Sequence, residues 1–402
     1  MKAFTEPLLS LAGFEEMTKT AEKSSGLISV TGCIDAQKSQ MIYAFGGHRK
    51  NKLIVTFGEQ KAKELYDEYS FFDKEVVYYP SKDVLFYQSD IRGNLLTAER
   101  IRALKAIREQ ERVTLVTTFD ALMNTMAPIE KMWENVLTLE QEQLLDLKEI
   151  QAALIRMGYE KEYQVQTMGQ FSVRGGILDV FPLTEENPIR IELWGDEIDT
   201  IRYFDCESQK SIENIEQVSI YPAAELVLSD EEKAGGIEKL KAEAKRVSDK
   251  LRKQMKTEEA HRVTVMADEL TEEWGELSMY AGMDAFLSYF FDERVGILDY
   301  FKPSDSLIFF DELTRCTEQG KLTETEFSES MKQRLAMGYI LPGQMNGLFT
   351  EKEIVAKLEK YSCIALGALD NKANGLHQLG SYGIHCQSVS PVSYTHLTLP
   401  TT

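Results

Sequence analysis

Four short apolar runs punctuate the first third of the chain: Leu27-Ile28-Ser29-Val30-Thr31, Lys52-Leu53-Ile54-Val55-Thr56, Glu75-Val76-Val77-Tyr78-Tyr79 and Val113-Thr114-Leu115-Val116-Thr117. Each has the length and composition of a strand covered on both faces. Between them lie amphipathic helical stretches near Lys38–Phe45, Glu59–Tyr69 and Leu96–Arg108. Strand and helix in alternation predict an α/β fold built on a parallel, doubly wound sheet. Two later runs, Leu307-Ile308-Phe309-Phe310 and Ser362-Cys363-Ile364-Ala365-Leu366, have the same character, so the sheet is expected to resume late in the chain.

What separates the two halves of that sheet reads differently. After a connecting helix at Leu145–Met157, residues 163–220 show β-hairpin patterning with almost no helical period. Ile189–Trp194, then Gly195-Asp196, then Glu197–Arg202 is strand, two-residue turn, strand, with glycine supplying the positive φ. Ile237, Leu240, Ala244, Val247, Leu251 and Met255 then recur at helical spacing and predict one long amphipathic helix with a solvated charged face. The expected division is 1–126 as a first α/β segment, 127–222 as an inserted β-rich domain, and 223–390 as a second α/β segment. The threonine-rich stretch from Pro391 to Thr402 differs in style from the rest and reads as foreign sequence.

A chain of 402 residues with 43% hydrophobic content can form two or three ordinary cores. Its formal charge of −20 repels a phosphate backbone over most of the surface and favours a protein partner over broad nucleic-acid binding. Five scattered cysteines, with no C-x-x-C pair, argue against a disulfide framework or a zinc site and fit a reducing cytoplasm. No stretch approaches membrane-spanning length, so no membrane partner is expected.

Gly32-Cys33-Ile34-Asp35-Ala36-Gln37-Lys38-Ser39 follows the first strand and opens a helix. It matches the phosphate loop G-x-x-x-x-G-K-[ST] at three of four defining positions. In a working loop the glycine before the lysine lets backbone N–H groups approach the phosphates. Here Gln37 puts a side chain there. Asp35 adds a carboxylate whose repulsion of a phosphate about 4 Å away is roughly 4 kcal/mol at an effective dielectric of 20. The acidic pair that would hold magnesium in an active enzyme is present as Asp311-Glu312, at the end of the run Leu307–Phe310. These residues read as a degenerate nucleotide site. The alternative is that Lys38 and Ser39 begin an ordinary helix and Asp311 caps the next. Neither reading gives hydrolysis or a bound cofactor.

On Ile189–Trp194 a period of two puts Ile189, Ile191 and Leu193 on the core face and Arg190, Glu192 and Trp194 on the outer face. Tryptophan and arginine dominate binding hot spots. Equally, Trp194 could cover an apolar gap, and Arg190 could pair with Glu192 or Asp199.

The block from Met168 to Pro182, with Pro188–Ile198 and Phe204–Ser211, closely resembles the N-terminal region of the bacterial transcription-repair coupling factors (Mfd), whose front end is similar to the excision-repair subunit UvrB. The resemblance runs more weakly over residues 25–390, and its flanking α/β parts are shared with helicases generally. It implies a helicase-like sheet in two sequence segments around an inserted domain that binds UvrA. The residues matching the family's contact positions are Arg174, Arg190 and Trp194; Leu193-Trp194 stands where the family has two aromatics. It further implies an adaptor without ATP hydrolysis of its own. ATP, magnesium, RNA polymerase and DNA would be engaged by C-terminal domains absent here, with docking back onto the motor a further expectation. The alternative in the same family group is a UvrB-like damage-recognition ATPase. UvrB's aromatic hairpin has no counterpart of sufficient length between Tyr79 and Thr97.

Overall fold

The computed structural model describes residues 6–8, 13–45, 49–82, 93–276, 283–369 and 375–384. The segment 83–92, most of the stretch compared with UvrB's hairpin, lies outside them, as do Cys386 and the tail 391–402. In chain order the strands are β1 (Gly26–Thr31), β2 (Asn51–Thr56), β3 (Val76–Tyr79), β4 (Val113–Thr118), β5 (Leu137–Glu140), β6 (Glu160–Lys161), β7 (Gln170–Arg174), β8 (Ile177–Val180), β9 (Ile189–Trp194), β10 (Glu197–Phe204), β11 (Ser211–Ile215), β12 (Gln217–Ile220), β13 (Ser306–Asp311), β14 (Ser362–Gly367) and β15 (Gln378–Gly383).

Seven of these form one wholly parallel sheet in the order β15-β1-β14-β13-β2-β4-β3. The expected α/β fold is therefore present. Its strands are apolar on both faces because helices cover both: Leu53, Val55, Ile308 and Phe310 enter one core, and Ile54, Leu307 and Phe309 the other. Helices fill the crossovers at Asp35–Phe45, Glu59–Tyr69 and Gly93–Glu109. Strand β15 was not foreseen. Its Gln-Leu-Gly-Ser-Tyr-Gly sequence lacks β-branched residues, and as a half-exposed edge strand it needs few apolar side chains.

Strands β5–β12 lie between β4 and β13 in sequence and form their own sheets, β11-β10-β9-β8-β7-β6 and the pair β12-β5. Their core gathers Phe171, Leu178, Val180, Ile189, Ile191, Ile198 and Ile201 under Leu154 of the helix Leu147–Arg156. The turn between β9 and β10 falls at Gly195-Asp196 as expected, with Gly195 at φ +66°.

A helical unit precedes the return to the sheet. The helix Asp230–Lys253 starts at a capping box made by Ser229 and Glu232 and packs along Thr257–Glu276. Leu240, Ala244 and Leu251 are buried in that contact with Ala260, Val263 and Trp274. Met255, expected on the same stripe, instead stands exposed beyond the helix end at φ +64°, in the turn that reverses the chain. The sheet resumes at Ser306.

The three units meet at a buried cluster of charge. Arg100, fully buried on the helix Gly93–Glu109, places Nε 2.7 Å from Glu225 Oε1 and Nη2 3.1 Å from Oε2. It also donates to the Pro80 carbonyl at 2.6 Å and to the Tyr79 hydroxyl, and stacks its guanidinium 4.0 Å from the Tyr79 ring. Lys82 reaches Glu225 at 3.1 Å and also pairs with Asp284 beside the helical unit. Burial would raise the Glu225 carboxyl, but Arg100 and Lys82 outweigh it and hold it down at about 2, against an ordinary 4.5. A carboxyl depressed on folding stabilises the fold above its unfolded value and loses that effect as pH falls through its folded one. Glu225→Gln is expected to cost on the order of 3 kcal/mol at pH 7 by urea unfolding. The gap from the unsubstituted protein should shrink to roughly half at pH 3.

Candidate functional site

At the end of β1 the chain turns through Gly32 at φ +77° and the helix begins at Asp35, three residues before the expected start. Lys38 therefore sits in the first helical turn, above Asp35. Its Nζ lies 2.5 Å from Asp311 Oδ1, 2.9 Å from Asp35 Oδ1 and 3.1 Å from Glu312 Oε1. The Lys38 and Asp311 side chains are each only 2% exposed. The second Asp311 oxygen accepts from the Thr56 hydroxyl at 2.8 Å. Glu312, at φ +58°, also accepts from the Ala368 N–H at 3.0 Å. Ser39 donates to Glu68 at 3.1 Å. The two motif halves read from sequence do meet, and they meet on each other. Asp311 makes no helix cap; it is the counter-ion of Lys38.

Burial alone would lower the Lys38 ammonium, but Asp311, Asp35 and Glu312 outweigh it and hold the lysine above its ordinary value. The hydrogen bond from Lys38 in turn holds the Asp35 carboxyl below the usual range. Lys61 also reaches the second Asp35 oxygen at 3.1 Å, so two ammoniums stand among three carboxylates and the cluster keeps a net negative charge, which disfavours a phosphate. Three of the loop's N–H groups are also engaged. Gly32 donates to the Ala368 carbonyl at 3.3 Å, Cys33 to Gly367 at 3.1 Å and Gln37 to Ile34 at 3.0 Å. The Ile384 carbonyl lies over Gly32, 2.0 Å from where a Cβ would stand. Gln37 buries its side-chain oxygen without a hydrogen-bond partner. Among the described residues no three His, Cys, Asp or Glu side chains are arranged as a metal site.

Lys38→Ala is expected to cost about 3–5 kcal/mol in urea unfolding, because it strands the buried Asp311 carboxylate. Pairing Lys38→Met with Asp311→Leu should recover most of that loss, since the pair is replaced by apolar volume.

The second set of residues lies on the outer face of the six-stranded sheet. Cross-strand partners share a face, and the register aligns Ser172, Asp179, Arg190 and Arg202 in one row. Arg174, Ile177, Glu192 and Thr200 form the next. Trp194, two residues beyond Glu192 on β9, ends the face and is 84% exposed. It covers no gap in its own domain.

The two arginines are placed differently. Arg190 is 12% exposed and grips Asp179 through Nε at 2.7 Å and Nη2 at 2.8 Å, with Gln209 at 2.8 Å and the Phe204 ring 4.3 Å from its guanidinium carbon. Arg174 is 37% exposed and touches Asp179 through a single Nη2 contact at 2.9 Å. Its Nε has no hydrogen-bond partner. The pairing partner of Arg190 is thus Asp179, where the sequence suggested Glu192 or Asp199; Glu192 is taken by Arg202 at 2.5 Å. Asp179 was overlooked because it sits one strand away, on β8, and only the β8–β9 register brings it opposite Arg190. Of the three predicted contact residues, only Trp194 stands clear of intramolecular polar partners.

Residues 137–226 match the family model described as the UvrB interaction domain. Over longer spans the chain is similar to transcription-repair-coupling factors. That of Bacillus subtilis (strain 168) is 28% identical over 309 residues, 76% of this chain and 26% of the relative. That of Staphylococcus aureus (strain MRSA252) is 29% identical over 342 residues, 82% of this chain and 28% of the relative. The chain thus spans about a quarter of the length of these curated relatives. Residues 137–226 are thus similar to the UvrB interaction domain, within a chain that over about four-fifths of its length is similar to part of the transcription-repair-coupling factors.

Proposed function

We propose that this chain is the adaptor module of a transcription-repair coupling factor, which recruits UvrA to lesions where RNA polymerase has stalled. The motor, the polymerase contacts and the DNA contacts belong to parts of such a factor outside this chain, and ATP with magnesium acts there. The observation that carries the reading is Trp194: a large ring held in water on a rigid hairpin, inside the segment that matches the UvrB interaction domain. Leaving so much apolar surface exposed forgoes about 1.5–3 kcal/mol of burial, a cost that a partner covering the ring would return.

The caged lysine supports the second half of the reading, an adaptor that hydrolyses no ATP. A nucleotide would have to displace Asp311 and Asp35 from Lys38, lift the Ile384 carbonyl from Gly32, and enter a field of excess negative charge. The UvrB-like ATPase alternative retains the loop lysine and the acidic pair, but it requires these contacts to open before a nucleotide can enter.

Calorimetric titration of the chain with UvrA should give saturable binding, and Trp194→Ala should weaken it by about 2 kcal/mol or more without moving the unfolding midpoint. Arg174→Ala should likewise weaken binding with little effect on stability. Arg190→Ala should lower both, because it strips the buried Asp179 of its bidentate partner at a cost of about 3–5 kcal/mol. Unchanged UvrA affinity in all three variants overturns the site. Titration with ATP and magnesium should give no heat of binding, and clear saturation would restore the ATPase reading.

A further inference from the structure

The docking face has a second apolar projection that lies outside the hairpin. Residues 142–145 arch across the hairpin's tip: Glu142 N–H donates to the Ile198 carbonyl at 2.8 Å, Ile198 N–H to Gln143 at 2.9 Å, and Leu145 N–H to Asp196 at 2.7 Å. Leu144 pairs directly with Glu197, and Glu197 pairs directly with Trp194. Directly opposed residues point to the same side of a sheet, so Leu144, Glu197 and Trp194 form one row on the outer face. With strands about 4.8 Å apart, the two apolar groups stand roughly 10 Å from each other.

Leu144 is 75% exposed, yet it is held firmly. The next residue, Leu145, is buried in the domain core, and Asp146 accepts the Lys148 N–H at 2.7 Å to cap the helix that follows. Two residues earlier, Glu142 adopts φ +65°, a left-handed conformation unfavourable for glutamate. Strain on one side and core anchoring on the other hold an aliphatic side chain out in water. A chain needing only to cross from β5 to the helix has no use for that. Backbone strain of this kind concentrates where a surface is arranged for binding.

On the other flank of Trp194 the turn Gly175-Gly176 leaves open ground, since a Cβ on Gly175 would meet nothing within 4 Å. Beyond that turn stands Arg174, partly exposed and held within the domain through Nη2 alone. We infer that Leu144 is a second apolar anchor of the docking face. The partner surface it fits has apolar pockets for Leu144 and Trp194 on either side of a cation that meets Glu197, and a carboxylate for Arg174 at its border. This rests on the reading of the outer face as the UvrA-binding surface.

The test is titration of UvrA with the chain carrying Leu144→Ser, Trp194→Ala or Met255→Ser. Met255 is an equally exposed apolar residue at the turn of the helical unit and controls for general stickiness. Leu144→Ser is expected to weaken binding by about ten-fold or more, with the unfolding midpoint unchanged, while Met255→Ser stays within about two-fold. Loss of affinity in Trp194→Ala with none in Leu144→Ser overturns this inference and leaves the docking face standing. Full affinity in both overturns the docking face itself. Equal weakening by Met255→Ser also overturns the inference, because the effect would then be one of exposed apolar area alone.

Discussion

The pair formed by Arg100 and Glu225 sets the geometry on which everything else depends. Arg100 belongs to a helix of the parallel sheet, and Glu225 lies just past β12, where the chain leaves the inserted domain. Two charges with no access to water tolerate separation poorly, since either one alone in that site costs several kcal/mol. Lys82 and Asp284 extend the same tie to the helical unit. The inserted domain, with its outer face, is thereby tied to the sheet through buried ion pairs. A surface held this way would bind any partner without first spending free energy on its own ordering.

The phosphate loop follows the same logic of charges satisfied from within. A nucleotide-binding enzyme leaves its loop lysine and backbone N–H groups waiting for a ligand. Here Asp311 holds the lysine, residues 367–368 hold the Gly32 and Cys33 N–H groups, and the Ile384 carbonyl closes over Gly32. Loss of the glycine at position 37 is only one part of the change. The Lys38–Asp311 pair joins the ends of β1, β13 and β14, and it stabilises the sheet from within.

Much of this was legible in the sequence because the relevant signals are local. Apolar runs of strand length, helical periods between them and a glycine at a two-residue turn are each decided within a few residues, and they located β1, β2, β4, β9, β10, β13 and β14 closely. The meeting of Lys38 with Asp311 and Glu312 could be anticipated because a known motif links distant positions. What escaped depends on register or on context. Strand β15 lacks the composition of a strand and exists because β1 offers it an edge. Met255 continues a helical stripe that the chain abandons in a left-handed turn. Asp179 became the partner of Arg190 through the pairing of β8 with β9, which no local pattern specifies.

That register also explains why two arginines of the same face have unlike roles. Asp179 is almost completely buried, so its charge must be matched from within the sheet. Arg190 stands directly opposite and meets it with two N–H groups, closed over by Phe204 and Gln209. One further contact from Arg174 Nη2 completes the match, and the Arg174 side chain as a whole stays partly exposed. A buried acid thus makes one arginine a strut and leaves its neighbour donors to spare. The face keeps its shape through the first and offers its charge through the second, with the indole of Trp194 two residues beyond the end of the Arg174 row.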